Sequence, residues 1–241
     1  MVATMLSRRS RAMDTEDTRA TDATAIGDST LPSSADLEPL SAADFDGLGV
    51  CTLLPEMTAG PFPLDEQFDR RDVTEGYPGH PLRLGLRVVA GDCAAVGGAT
   101  VEIWHTDATG DYSAFADGGG GKDEAEGSTF LRGTQTADEQ GIVEFQSIYP
   151  GWYPGRAVHV HVRVRVDDDL VVTTQLYFDD AATEAVLTTG PYAEFGPPGT
   201  TNAEDGFAGD AAESGLLLVT TAAETTAGAG TLALLNIGVR A

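Results

Sequence analysis

The sequence has 241 residues, of which 41% are hydrophobic, so it is long enough to bury one sizeable core and does not demand two domains. Its formal charge of -24, from 38 acidic and 14 basic residues, would repel nucleic-acid phosphates and anionic membrane surfaces. No run of about 18 apolar residues occurs, so no membrane-spanning helix is predicted. We therefore expect neither nucleic acid nor a membrane as a partner.

The first 44 residues contain no aromatic side chain and are rich in Ala, Thr, Ser and Asp. Such a segment cannot bury enough apolar surface to offset the entropy lost on ordering. We predict a disordered N-terminal tail over 1–44 and one folded domain over 45–241. Paired arginines near the start are typical of an export signal, but polar residues stand where its apolar region should be, so the compartment stays open.

The 29 glycines and 12 prolines, set between short Val-rich and Leu-rich runs, favour many strands joined by turns. Between the second and third predicted strands, a glycine-rich stretch at 116–128 predicts a flexible surface loop, and 190–210 predicts a long connection. The fold class is therefore all-β, a β-sandwich of antiparallel strands. The predicted strands, in chain order, are 83–90, 99–104, 142–147, 158–166, 171–178, 216–222 and 231–239.

The strand at 158–166 reads VHVHVRVRV, in which His159, His161, Arg163 and Arg165 alternate with valines. Side chains at positions i and i+2 of a strand share one face, so the valines are expected in the core and both histidines on the polar face. Two histidines alone are more often hydrogen-bonded or solvated than metal ligands. A metal site therefore requires further donors.

Two tyrosines can supply such donors. The segment IYPGWYPGR places Tyr153 six positions before His159 in a sharply turning stretch, and WHTDATGDYS places Tyr112 in a turn after another strand. Zinc sites use Cys, His and carboxylates, and ferrous oxygenases use two His and one carboxylate. Phenolate is instead a hard anionic donor, so two Tyr with two His point to iron(III), which favours the phenolate form although a phenol titrates near 10 in water.

The segments TAGPF, VEIWHTDATGDYS, FLRGTQT, IYPGWYPGR, HVHV and TQLYF, in this order, resemble the intradiol ring-cleavage dioxygenases of the catechol and protocatechuate type. The resemblance covers 50–241. It implies a β-sandwich that cleaves a catechol between its hydroxyls with O2, giving a muconate-type diacid. It also implies one non-haem iron(III) per chain, with Tyr112, Tyr153, His159 and His161 as ligands. A homo-oligomer is expected as well, since association is common in the family.

The resemblance further implies that Arg156 and Gln175 face the bound substrate. In the family, the tyrosine that matches Tyr153 leaves the iron and takes a substrate proton. The sequence departs from the family's common EGPYY form, because Ala59 and Phe62 stand in TAGPF. The shape of the pocket and the ring substituent of the substrate therefore stay open.

The two cysteines, Cys51 and Cys93, are compatible with one disulfide or with two buried thiols. Their positions resemble those in a branch of the family whose members are often exported. The sequence also lacks the helical N-terminal dimerisation segment of dedicated catechol dioxygenases.

Four aromatic or imidazole residues near these motifs are interpreted as outside the metal site. Trp104 and His105 are expected to be structural, Tyr149 to be a packing residue, and His80 to lie at the surface. No nucleophile-elbow pattern supports a hydrolase. The remaining alternative is a non-catalytic β-sandwich binding module, against which four ligand-type residues at matching spacing argue.

Overall fold

A computed structural model describes residues 37–49, 51–115 and 127–240. Within these ranges the chain forms two four-stranded sheets, which confirms the predicted β-sandwich. The first four strands in chain order are β1 Pro81–Ala90, β2 Thr100–Trp104, β3 Arg132–Thr136 and β4 Ile142–Ile148. The remaining four are β5 His159–Val166, β6 Asp169–Tyr177, β7 Val219–Thr225 and β8 Gly228–Val239. Sheet 1 has the order β4-β1-β8-β7, and sheet 2 has the order β3-β2-β5-β6.

The seven predicted strands all occur, with shifted ends, and β3 is an additional strand. Its sequence, RGTQT, has no apolar alternation, so the periodicity rule does not detect it. One strand pair also corrects the expectation of antiparallel strands, since β1 and β8 are parallel. A parallel pair requires a long crossover, and here most of the chain lies between its two strands.

Apolar side chains from both sheets fill one core. The β5 residues Val160, Val162 and Val164 are fully buried, which confirms the inward face predicted from the alternation. Leu84 and Leu86 of β1 are buried in the same cluster. Burial of each such side chain stabilises the fold by about 1.5–3 kcal/mol. The valine face therefore holds sheet 2 in place and leaves its other face to the histidines.

Residues 1–36 of the predicted tail lie outside the described residues, as does most of the predicted 116–128 loop. The part of the tail segment that is described contacts sheet 1. A short 3-10 helix at Ala42–Phe45 buries Phe45, and Leu40 is buried beside it with Ile142 and Leu234. Leu40 thus packs on the sandwich although it stands in the segment predicted as tail.

Cys51 and Cys93 form a disulfide, with their Cα atoms 5.2 Å apart, which decides between the two possibilities left open by the sequence. The bond ties the turn after β1 to the start of an extended segment, residues 51–72, called the arm below. Met57 N of the arm donates to Thr173 O of β6 at 2.7 Å, and Arg70 N donates to Thr134 O of β3 at 3.2 Å. The arm therefore runs across sheet 2 from one edge strand to the other.

The connection between β6 and β7 contains two short helices that the sequence did not indicate. Helix α1 spans Asp180–Leu187 and is capped by Asp179, whose carboxylate accepts hydrogen bonds from the Ala181 and Ala182 amides. A 3-10 helix follows at Gly190–Phe195. No helix among the described residues combines the length and the hydrophobicity needed to span a membrane.

Candidate iron and catechol site

Strand register brings one residue from each strand of sheet 2 into a single row. Arg132 of β3 is paired with Trp104 of β2, Trp104 with His161 of β5, and His161 with Gln175 of β6. Directly paired residues of neighbouring antiparallel strands lie on the same face of the sheet. The row therefore lies on the face opposite the buried valines, where the arm crosses.

Four side-chain donors converge at this row. The hydroxyl of Tyr112 lies 3.2 Å from His159 Nε2, and the hydroxyl of Tyr153 lies 3.5 Å from the same atom. The two Nε2 atoms of His159 and His161 are 3.2 Å apart. Ligand atoms that each bind one ion at about 2.0–2.1 Å lie roughly 3.0–3.5 Å from one another. The structure thus brings together all four residues predicted as ligands, and the other three donor atoms each lie 3.2–3.5 Å from His159 Nε2, a spacing that one ion can bridge.

The tautomer of His159 is set by the backbone. Its Nδ1 donates to Ala157 O at 2.7 Å, so the lone pair of Nε2 faces the other donors. His161 Nε2 lies 3.2 Å from His159 Nε2, so a proton or a cation must stand between the two nitrogen atoms. Among the described residues no group of three or more His, Cys, Asp and Glu side chains could hold a metal ion, so the phenols are essential to any such site.

Burial determines the protonation states of these groups. It lowers the pKa of His159 to about 3 and the pKa of His161 well below its usual value, with the Arg156 charge contributing to both. It also raises the pKa of both Tyr112 and Tyr153. The imidazoles are therefore neutral and able to coordinate, while each phenol keeps its proton until a cation displaces it.

A row partner and the arm both contact His161. The Trp104 ring stacks on the His161 imidazole at 4.8 Å with an angle of 3° between the planes. On the arm, Gly60 has φ +69, and a Cβ added there would lie 3.3 Å from His161 Cε1. Trp104 therefore belongs to the site. The sequence alone had indicated a structural residue outside the metal site.

Arg156 lies beside the donors, in contact with the second residue predicted to face substrate. Its Nη1 donates to the Tyr153 hydroxyl at 3.3 Å, and its Nη2 donates to Gln175 Oε1 and to the Tyr177 hydroxyl, the latter at 3.2 Å. Its Nε donates to Asp205 Oδ2 at 2.9 Å. Arg156 and Gln175 are thus both at the site, together with two residues that sequence reasoning missed.

A signal for one of the missed residues was present in the sequence. Tyr177 stands two positions after Gln175 in the predicted strand, so the alternation that groups the histidines also places Tyr177 on the Gln175 face. Asp205 has no such signal, because it stands 49 residues after Arg156 in an irregular connection.

The arm forms an aromatic wall next to Tyr112. The Phe62 ring stacks on the Tyr112 ring at 4.9 Å and lies 5.2 Å from the Phe115 ring. Gln175 Nε2 donates to Thr58 O of the same arm at 2.9 Å. Phe62, where the sequence departs from the common family form, therefore contacts a predicted ligand directly.

The other residues singled out in the sequence lie in different surroundings. His105 places its ring nitrogens on Thr106 O and Ser147 Oγ, and Tyr149 places its hydroxyl 2.9 Å from Thr183 Oγ1, as expected of structural residues. His80 is half-buried, which corrects the surface prediction, because its Nε2 lies 2.9 Å from Thr231 Oγ1.

Comparison with known sequences supports the same family. A sequence model described as dioxygenase matches residues 55–186, more than half of the chain. The chain is 32% identical over 118 residues to a chlorocatechol 1,2-dioxygenase of Pseudomonas sp. strain P51 and 27% identical over 121 residues to one of Rhodococcus opacus. These matches span 44% and 45% of the relatives, so the chain covers less than half of their length.

Solved structures resemble most of the described sandwich. An intradiol ring-cleavage dioxygenase from Tetranychus urticae superposes with a TM-score of 0.69 at 29% identity, over 79% of this chain and 95% of that one. The dioxygenase domain of a carbohydrate-binding fusion protein from Streptomyces sp. SirexAA-E gives a TM-score of 0.57 at 25% identity, over 78% of this chain and 99% of that domain. The chain belongs to the intradiol ring-cleavage dioxygenase family.

Proposed function

We propose that this protein is a non-haem iron(III) dioxygenase that uses O2 to cleave a catechol-type ring between its two hydroxyls. The observation that carries the proposal is the convergence of two phenol oxygens and two imidazole nitrogens, at 3.2–3.5 Å, on one face of sheet 2. Tyr112, Tyr153, His159 and His161 would hold one iron per chain. When bound, iron(III) would supply the Lewis acidity and the redox chemistry through which O2 reacts with the ring.

The two tyrosines are suited to different tasks. Tyr112 is fully buried beneath Phe62, whereas Tyr153 is partly exposed and lies in a turn that includes the exposed Gly155. A catechol that binds as a dianion must lose two protons. Tyr153, which iron(III) would hold as the phenolate, is the better acceptor for one of them because it is partly exposed, and the other proton would leave to solvent. Tyr112 would stay in place.

Arg156 supplies fixed positive charge next to the same oxygen. Its Nη1 lies 3.3 Å from Tyr153 Oη, so it would also face a substrate oxygen that takes the place of that hydroxyl. A preorganised donor to developing negative charge is worth about 3 kcal/mol in a site that excludes water. Gln175, held between Arg156 and Thr58 O, would fix the position of the guanidinium and of the arm.

The proposed metal ligands and the neighbouring aromatic rings favour a catechol-type substrate. They do not indicate which substituent its ring carries. The Phe62 and Phe115 rings next to Tyr112 would offer apolar contacts to a planar ring, and two adjacent hydroxyls suit a metal with an exchangeable ligand. Simple catechol, carboxylated catechols, hydroxyquinol and lignin-derived phenols are all to be tested. Association into a homo-oligomer is a separate proposal, which native mass measurement tests.

The test combines metal analysis, visible spectra and oxygen uptake with a panel of catechols. We expect one iron per chain, a reddish colour from tyrosinate-to-iron charge transfer, and products opened between the hydroxyls. His159→Ala and His161→Ala should lose iron. Tyr153→Phe should keep much of its iron but bind catechol slowly, while the control Tyr149→Phe, whose hydroxyl contacts Thr183, should keep iron, colour and turnover.

Four results would count against the proposal or a part of it. A colourless protein that contains only zinc would remove the iron assignment, and products opened beside the hydroxyls would require a different metal chemistry. A folded protein that binds catechols without iron and without turnover would favour the β-sandwich binding module. Tyr153→Phe with ordinary substrate-binding kinetics would remove the proton-accepting role of Tyr153.

A further inference from the structure

Asp205 is a buried carboxylate from the 190–210 connection, and each of its oxygens accepts two hydrogen bonds. Oδ2 accepts from Arg156 Nε at 2.9 Å and from Ala157 N at 2.7 Å. Oδ1 accepts from Phe207 N at 2.8 Å and from Ala208 N at 3.2 Å. The side chain has no exposed surface. A carboxylate has about four acceptor positions, so this one is fully used.

These contacts determine which edges of the Arg156 guanidinium face the site. The group is planar and its donors form a rigid fork, so an acceptor on Nε sets the direction of both Nη atoms. With Nε on Asp205, Nη1 faces the Tyr153 hydroxyl and Nη2 faces Gln175 and the Tyr177 hydroxyl. Rotation of the guanidinium would remove these contacts together.

A second contact from the same turn restricts the guanidinium plane. The Phe207 ring lies 4.7 Å from Arg156 Cζ, at a distance suited to a cation-π contact. Asp205 therefore holds one edge of the guanidinium, and the residue two positions later covers one face. Ala157, which Asp205 also binds, accepts the hydrogen bond that sets the tautomer of His159.

We propose that Asp205 is a positioning residue, which acts on catechol through Arg156, and that the 190–210 connection is thereby part of the active site. The contact between Asp205 and Arg156 is seen in the structure. Its expected effect on turnover rests on the proposed function. Asp205 also accepts hydrogen bonds from the Phe207 and Ala208 amides, so its loss could disturb this turn without any effect on Arg156. The experiment must therefore separate the loss of the turn from the loss of Arg156 orientation.

The first measurement needs no iron. In 15N-labelled apoprotein, the Arg156 Nε–H resonance, identified by its absence in Arg156→Lys, should be protected from exchange with water. Asp205→Asn should abolish that protection, because an amide that keeps its oxygen on the turn amides places its NH2 group against Arg156 Nε. The control Glu144→Gln removes a different buried carboxylate, which binds Arg83, and should leave the Arg156 resonance unchanged. Unchanged protection in Asp205→Asn would overturn the inference.

The second measurement is a double-mutant cycle on the iron-loaded protein. Asp205→Asn should lower kcat/KM by roughly 10-fold to 100-fold, as losses of outer partners of a metal site do, with unchanged iron content. In an Arg156→Ala background the same substitution should lower kcat/KM no further. Asp205→Glu, which keeps the charge, should recover part of the loss. An equal loss in both backgrounds would overturn the positioning role and indicate a structural one.

The two measurements distinguish the failures. If Asp205→Asn removes the protection of Arg156 but the wild-type protein has neither iron nor turnover, the proposed function fails and the contact stands. If turnover is normal and the Arg156 resonance does not respond to Asp205, the inference fails and the proposed function stands. Anaerobic titration with 4-nitrocatechol gives a third readout, with weaker binding expected for Asp205→Asn and unchanged binding for Glu144→Gln.

Discussion

Replacement of both Cys51 and Cys93 by serine should lower the free energy of unfolding by about 4 kcal/mol. The disulfide joins residues with a sequence separation of 42. In the chain-entropy description, closing a loop of that length removes about 13 cal/mol/K from the unfolded chain, which corresponds to about 4 kcal/mol at 25 °C. In a protein of this size the loss corresponds to a decrease in Tm of roughly 8–16 °C.

The assay is urea unfolding of the apoprotein, followed by tryptophan fluorescence, so that iron binding does not contribute to stability. The double serine variant avoids the free thiol that either single variant would leave. Reduced wild type provides a second comparison, and both forms should lose the same amount. A loss below about 1 kcal/mol would refute the reasoning from loop entropy, because it would mean that the unfolded chain is not restrained by the bond.

Under the proposed function, the same variant should bind catechol as tightly as the wild type. Beyond the disulfide, the arm is held by the bridge between Leu53 and Gly238 and by the Met57 hydrogen bond to β6. These contacts precede Thr58 and Gly60, which contact the site. We therefore expect the disulfide to stabilise the fold without setting the geometry of the candidate site. A large increase in KM in the double variant would contradict this separation.

Two further predictions concern single residues. Gly60→Ala should lower apoprotein stability by about 1–2 kcal/mol, because a φ of +69 disfavours a side chain. It should also lower iron content, because the new methyl group would lie against His161. Thermal unfolding tests the first effect and metal analysis the second. Burial raises the pKa of Glu144, but hydrogen bonds from Arg83 and Arg71 outweigh this effect and hold the pKa below its usual value of 4.5. The carboxylate therefore stabilises the fold above pH 4.5, and this contribution is lost as the pH falls through the lowered pKa. Glu144→Gln should therefore cost roughly 3 kcal/mol in urea unfolding at pH 7 and much less at pH 3, and equal costs at both pH values would contradict it.

The residues of β5 show why part of the fold could be predicted. Alternation of His and Val in VHVHVRVRV determines which side chains share a face, whatever the partner strands are. The polar RGTQT of β3 carries no such pattern, and its strand exists because β2 provides a partner. The parallel pairing of β8 with β1 depends on which strands meet, and periodicity within one strand carries no information about that.

In the candidate site, too, some contacts could be predicted from one segment of sequence and others depend on how distant segments meet. Tyr153, Arg156 and His159 lie within seven consecutive residues, so their association could be read from one segment. Trp104 stood in a predicted strand, but its stacking on His161 depends on the register between β2 and β5. Asp205 reaches the site only through the path of the 190–210 connection, which local sequence rules do not specify.

The position of β8 has a consequence for the order in which the molecule can assemble during synthesis. Sheet 2 comes from the continuous stretch 100–177, which includes all four proposed ligands, so it can leave the ribosome complete. Sheet 1 must wait, because β8 lies between β1 and β7 and ends at Val239. Until then the hydrophobic strand β1 presents one unpaired edge, which can pair with other nascent chains. One edge of β1 thus stays unpaired even after the ligand-bearing sheet has been made.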